Sequence, residues 1–192
     1  KNTMESVLDR VIKQNTENVN LLKTKDYNIF SVLQIQSKEV LICRMIADLL
    51  NPRGQHGAGA EYLKIFLRDC LGMEKMDTKL ADQAIVTAEY AIDDERRIDI
   101  VIEIGSYFLP IEVKIYAAYQ KSQCFDYYQY AKRRDAQAKV YYLTLDGHRP
   151  GKDSTSSGSQ SVPEEDIVCL SFREHILNWL KACKSCENTG MV

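Results

Sequence analysis

Two adjoining stretches of the chain alternate apolar and polar residues with the two-residue period of a strand. They are Arg97-Ile98-Asp99-Ile100-Val101-Ile102-Glu103-Ile104 and Tyr107-Phe108-Leu109-Pro110-Ile111-Glu112-Val113-Lys114-Ile115. Gly105-Ser106 between them is a two-residue hairpin signal. Ile85 to Ile92 reads as a strand before this pair, and Val140 to Leu145 and Ile167 to Leu170 as strands after it. Helical spacing marks other segments. Residues 4 to 23 carry a modest apolar stripe through Val7, Val11, Leu21 and Leu22. Glu39, Cys43, Ile46 and Leu50 fall on one face of a helix for which Ser37 is a candidate cap. Asn51-Pro52-Arg53-Gly54-Gln55-His56-Gly57 ends that helix as a turn. Residues 58 to 71 give a second core helix with Tyr62, Leu63, Phe66 and Leu67 inward, followed by a polar connection over 73 to 83. A helix is expected from Ala117 to Arg134, and an amphipathic one carrying Trp179 from Arg173 to Lys181, with a polar, fraying tail after Cys183. Asp146 to Glu165, rich in Ser, Gly and charge, is too long for an ordinary connection and reads as flexible or functional.

Composition narrows the class. A chain of 192 residues with 45% hydrophobic and 27% charged residues is ordinary for one globular domain. A net charge of −2 argues mildly against a protein coated in nucleic acid, without excluding a local basic groove. No apolar run approaches the roughly 18 residues that span a bilayer, and no signal peptide is visible, although a Lys at position 1 suggests a trimmed start. The six cysteines sit mostly in apolar surroundings, and the lone Cys183-Lys184-Ser185-Cys186 lacks the second pair a zinc ribbon needs. Reduced thiols and a cytoplasmic setting follow as the expectation.

The hairpin carries the candidate chemistry. Its turn makes Ile104 face Tyr107, so Asp99 faces Glu112 and Arg97 faces Lys114. Alternation puts Glu112 and Lys114 on one face, and direct opposition adds Asp99. Two carboxylates and an ammonium thus meet in a sheet built of Ile and Val. Close carboxylates ionise together only when a cation joins them. Lys114 supplies part of that charge, and Mg2+, or Mn2+ in its place, suits an Asp and Glu pair. The bland alternative is a solvated cross-strand ion network in which Lys114 pairs Glu112.

Asp99, then Glu112-Val113-Lys114 after twelve intervening residues, resembles the D…ExK signature of the PD-(D/E)XK nuclease superfamily. Several surroundings extend the resemblance to one uncharacterised branch over roughly residues 28 to 183. The lysine is followed without a gap by Gln120, Gln123 and Tyr127. Glu39 through Leu50-Asn51-Pro52 and His56-Gly57 resemble the branch's leading helix and turn, and Val140 to Gly147 and Ile176 to Leu180 match downstream. Tyr119 stands where an acidic residue is usual, and Val113 where Asn is frequent. The branch often carries a further C-terminal region that this chain lacks.

The resemblance implies an α/β, restriction-endonuclease-like αβββαβ core, a mixed central sheet flanked by helices. It implies Mg2+-dependent phosphodiester hydrolysis of DNA. Asp99 and Glu112 would hold the metal with the Val113 carbonyl, Glu39 would reach the site as a third carboxylate, and Lys114 would orient water or stabilise charge. Gln123 and Tyr127, neighbours four apart on a helix that begins close to the catalytic strand, would face the site. Glu89 is expected beside the metal or paired with Arg97, His56 at phosphate or tying its loop, and Gln120 near the Gln123 face. Lys121, Lys132, Arg133 and Arg134 form a candidate phosphate track, with Tyr127, Tyr128 and Tyr130 available for stacking. A rival reading keeps the nuclease shell without useful activity, as a module that binds nucleic acid or a protein. A homodimer or protein partner stays open under either reading, and a membrane partner is not expected.

Overall fold

In the computed structural model, residues 39–74, 76–115 and 120–189 are described, all within the unit Glu39–Val192. The predicted helix over 4 to 23 and the Ser37 cap lie outside these residues. Helices α1 (Glu39–Leu50), α2 (Glu61–Asp69) and short α3 (Thr78–Ala81) precede strands β1 (Ile85–Ala91), β2 (Arg97–Ile104) and β3 (Tyr107–Lys114). Helix α4 (Gln123–Arg134), β4 (Val140–Thr144), short α5 (Lys152–Thr155), the two-residue strands β5 (Ser156–Ser157) and β6 (Gln160–Ser161), β7 (Ile167–Ser171) and α6 (Leu177–Thr189) follow. One five-stranded sheet has the order β1-β2-β3-β4-β7. The first three strands are antiparallel neighbours; β3–β4 and β4–β7 are parallel. This is the mixed α/β core expected, with helices flanking the sheet.

The central strands are buried on both faces, which is why they read as near-continuous Ile, Val and Leu. Gly105 takes the left-handed backbone that the two-residue turn requires, at φ 58°. Pro110 sits in β3 although the strand is internal. It has no N–H to give, and the parallel ladder to β4 begins one residue later, at Ile111 opposite Tyr141. One side of the sheet is covered by α4, through Val101, Phe108, Tyr127 and Ala131. Helix α1 buries the predicted stripe of Cys43, Ile46 and Leu50. Trp179 locks α6 onto α2: its indole N–H donates to the Tyr62 carbonyl at 2.8 Å, and its ring meets Phe66 edge-on at 5.3 Å.

Three boundaries differ from expectation. Helix α4 starts at Gln123, since Ser122 is left-handed at φ 57° and Gln120 to Ser122 form a turn before it. The final helix runs on to Thr189, past the predicted end at Lys181. The stretch from 146 to 166 is a folded insertion. It contains α5 and the β5–β6 pair, and buries Ser154 and Val162. All six cysteines are free, and Cys43, Cys70, Cys124 and Cys183 are buried. No helix among the described residues is long and apolar enough to cross a membrane.

Candidate active site

The hairpin register is the one its turn dictates, from Ile104 opposite Tyr107 to Ile100 opposite Ile111. There the ladder stops. At the next position the Val113 N–H donates to Asp99 Oδ2 at 2.8 Å, so a carboxylate takes the place of a carbonyl between the parting strands. Glu112 follows, 1% exposed in the middle of β3. The Lys114 ammonium lies 2.8 Å from Glu112 Oε1, with its side chain 11% exposed. The ion pair is therefore buried, unlike the solvated network that was the alternative. Among the described residues Glu112 Oε1 meets this ammonium, and Oε2 has no hydrogen-bond partner.

Electrostatics follow from this crowding. Burial, then the neighbouring Asp99 charge, pushes the Glu112 carboxyl well above its ordinary value, against the pull of Lys114. Burial also raises Asp99, while the Val113 N–H and Lys114 act to lower it. For Lys114, burial opposes the charged form, but Glu112 overrides it and leaves the ammonium held more firmly than usual. Without a further cation, the two carboxyls favour sharing a proton over both being ionised.

Helix α1 brings up another carboxylate. Glu39 Oε1 accepts from the Ile115 N–H at 2.6 Å, just past the end of β3. Glu39 thus touches the site's edge. Among the described residues, however, no three His, Cys, Asp or Glu side chains are grouped to hold a metal. One turn on, Cys43 is fully buried. Burial first, then Asp99, Glu112 and Glu39, raises its thiol. The sequence placed Cys43 on the core stripe and missed its nearness to the carboxylates; its i+4 spacing from Glu39 was the signal.

Helix α4 supplies a neutral side. Gln123, 6% exposed, donates from Nε2 to the Tyr127 hydroxyl at 3.0 Å, and that hydroxyl donates to the Arg97 carbonyl. Gln123 Oε1 is buried without a partner among the described residues. Burial, then the Glu112 charge, raises the Tyr127 phenol, as expected of a ring near the carboxylates. The first turn of α4 is held from outside. The Cys124 N–H donates to Ser154 Oγ at 3.2 Å, the Ser122 N–H donates to the Asp153 carbonyl at 2.7 Å, and the Ser122 hydroxyl donates to the Ser156 carbonyl at 2.8 Å. No sequence pattern announced Ser154, because its partner lies 30 residues away.

The accessory residues take varied places, His56 in the loop role expected as one of its two alternatives. Glu89 pairs with Arg44, at 2.6 and 3.0 Å, and not with Arg97, whose side chain is exposed. Gln120 is exposed and accepts from Arg96 at 2.7 Å. Arg96 also donates to the Lys121 carbonyl and pairs with Asp126, stapling this turn to the β1–β2 connection. His56 ties its own loop: Nδ1 accepts from the Ala58 N–H, Nε2 donates to the Asn51 carbonyl, and the ring stacks on Tyr62. Gly54 is required beside it, since a Cβ there would lie 2.2 Å from the Asp48 carbonyl. Arg134 pairs with Glu103 at 2.6 Å and Lys132 with Asp166 at 3.2 Å, so half of the predicted basic track is tied to protein carboxylates. Arg133 lies over Tyr130, and Lys121 is exposed. Tyr127 is core, Tyr128 donates to Asp166, and Tyr130 shares a hydrogen bond with Tyr90.

The donor set fits a hard divalent cation. Two acidic side chains meet, one with an oxygen that no protein group satisfies, and Mg2+ takes one or two carboxylates while keeping water and substrate ligands. Neither the curated proteins nor the solved structures give a match to this chain. A family model does, over residues 27–190, and those residues include the hairpin, α1, α4 and the closing helix. With an aspartate between parting strands, a buried Glu-x-Lys on the next strand and this match over most of its length, the chain belongs to the PD-(D/E)XK nuclease superfamily.

Proposed function

We propose that the protein is a Mg2+- or Mn2+-dependent nuclease that hydrolyses phosphodiester bonds in DNA. The observation that carries the reading is the Glu112 carboxylate, 1% exposed beside Asp99, with Oε1 on the Lys114 ammonium and Oε2 without a hydrogen-bond partner among the described residues. A buried carboxylate with one oxygen left open costs stability, and such a cost persists where it serves a site. Asp99, Glu112 and the Val113 carbonyl would hold the metal, which when bound polarises a phosphate and lowers the pKa of an attacking water. Lys114, fixed between carboxylates, offers a positive charge to the negative charge that grows on the phosphate. Gln123 Oε1 is an unfilled acceptor suited to hold a water proton or an ammonium proton, and Tyr127 fixes the amide that presents it. Glu39 orders the end of β3 through the Ile115 amide. Lys121 and Arg133 are the members of the basic cluster left for phosphate contact. The six free thiols suit a reducing compartment, and we place the protein in the cytoplasm.

The test is incubation of purified protein with plasmid and with linear single-stranded DNA, in Mg2+, Mn2+ or EDTA. Cleavage with either metal, absent in EDTA and absent in Lys114→Ala, is the expected result. Equal cleavage by wild type and Lys114→Ala would mark a contaminant and remove the reading. A second reading is a binding module on a nuclease shell, toward which the net charge of −2 points. Under it, no cleavage is seen, and Lys114→Ala leaves affinity for nucleic acid nearly intact.

A further inference from the structure

Glu89 has a left-handed backbone, φ 55°, inside a β-strand. An acidic side chain pays a steric penalty there that glycine does not, and such residues persist only where their surroundings enforce them. Its position is specific. The β1–β2 ladder pairs Ala88 with Ile100 and Tyr90 with Ile98, in one unbroken register, and skips only the position where Glu89 opposes Asp99.

At that position the sheet exchanges its faces. Val101 packs in the cluster beneath α4 with Phe108 and Tyr127. Strict alternation from Val101 would send Ile98, three residues away, to the other face. Ile98 is instead in the same cluster. Its partner Tyr90 follows it there, meeting Phe108 at 5.6 Å and Tyr130 at 6.0 Å between ring centroids. Both strands therefore switch faces between the Ala88–Ile100 pair and the Tyr90–Ile98 pair. A side chain at the switch points to neither face. It lies along the sheet, and this is how the Asp99 carboxylate comes to take the Val113 N–H of the adjacent strand. The left-handed Glu89 lets β1 make the same switch without inserting a residue. Arg44, on the helix that begins with Glu39, holds Glu89 through Nε and Nη2 on Oε2.

We propose that Glu89 is a positioning residue: its left-handed backbone creates the face switch that turns Asp99 into the plane of the sheet, toward Val113 and Glu112. The requirement is for a conformation more than for a carboxylate. Glycine and asparagine tolerate that conformation, whereas a β-branched residue resists it. Only the consequence for metal binding rests on the nuclease reading.

The experiment compares Glu89→Gly, Glu89→Asn and Glu89→Val in the full chain. The primary readout is hydrogen exchange of the Val113 amide by NMR, which needs no metal and no cleavage; Mn2+ titration calorimetry is the second. Glu89→Gly and Glu89→Asn should keep Val113 protection and Mn2+ affinity close to wild type. Glu89→Val should speed Val113 exchange by about tenfold relative to neighbouring amides, with a comparable loss of Mn2+ affinity. Glu89→Ala, which meets a milder penalty, replaces it if the valine variant does not fold and should show a smaller effect of the same sign. Unchanged Val113 exchange in both Val and Ala variants would overturn the proposal. So would equal loss in Gly and Val, since the carboxylate would then be what matters. Protection following this pattern without any Mn2+ binding by wild type would uphold the positioning role and remove the nuclease reading alone.

Discussion

The β2–β3 hairpin and the insertion between β4 and β7 reach the same site by opposite routes. The hairpin brings Asp99 to Glu112 through a two-residue turn and a register that counts outward from it. The register itself is written within sixteen residues of strand, and a slip of one position would send every side chain to the wrong face. The insertion has no periodicity and few apolar residues. Yet Ser154 within it is 1% exposed and serves as the missing cap of α4, two residues from the carbonyl that binds the Ser122 hydroxyl. The first region sets charge, and the second sets the position of the neutral Gln123 beside that charge. Local register brings the carboxylates to the same level of the sheet, while the helix that faces them depends on a contact made across 30 residues.

The largest expected effect sharpens the hairpin side of this contrast. Asp99→Ala should abolish the Mn2+ calorimetric signal and DNA cleavage together, because it removes both a metal oxygen and the acceptor of the Val113 amide. An unchanged isotherm would break the assignment of the metal to this pair.

Gln123→Ala tests the helix side. Loss of a neutral hydrogen bond costs about 0.5–1.5 kcal/mol, more where a buried partner is left open, and about 1.4 kcal/mol is tenfold in rate. Cleavage should slow by roughly one to two orders of magnitude while Mn2+ binding is untouched. A wild-type rate would reduce α4 to packing and confine the site to Asp99, Glu112 and Lys114.

A third measurement separates the regions by pH. Burial, and then Asp99, holds the Glu112 carboxyl above its ordinary 4.5 in the folded chain. The fold therefore favours the protonated form. That contribution to stability is complete below pH 4.5 and is lost as pH rises through the folded-state value. In EDTA the melting temperature should fall above pH 4.5 for wild type. Glu112→Gln should flatten this fall, read as the slope of Tm against pH from 4.5 upward. The same slope in both proteins would mean that Glu112 is solvated and the site is not under strain.

The smallest effect belongs to the insertion. Ser154→Ala should lower stability by about 1 kcal/mol, the usual value of a lost helix cap. It should slow cleavage less than Gln123→Ala and leave Mn2+ binding alone. A variant that melts and cleaves like wild type would show that the insertion merely covers α4.

The sequence by itself determined the strands, the turn and the level at which Asp99 stands across from Glu112, because hairpin register is local, and it put Glu112 and Lys114 on one face, because a period of two leaves one choice of face. It also determined which face of α1 is buried and that Gln123 and Tyr127 share a side of α4. It could not determine where charged side chains end, since the partner of a charged group is chosen by whatever the fold brings within reach. Arg44 takes Glu89, Glu103 takes Arg134, and Arg96 takes Gln120, across separations of 45, 31 and 24 residues. Nor could it show the left-handed backbone at Glu89 or the capping of α4 by Ser154. Alternation reads straight through the first, and in the second a polar stretch is folded by hydrogen bonds to a distant helix. Tertiary structure decided these because they are satisfied by contact rather than by pattern.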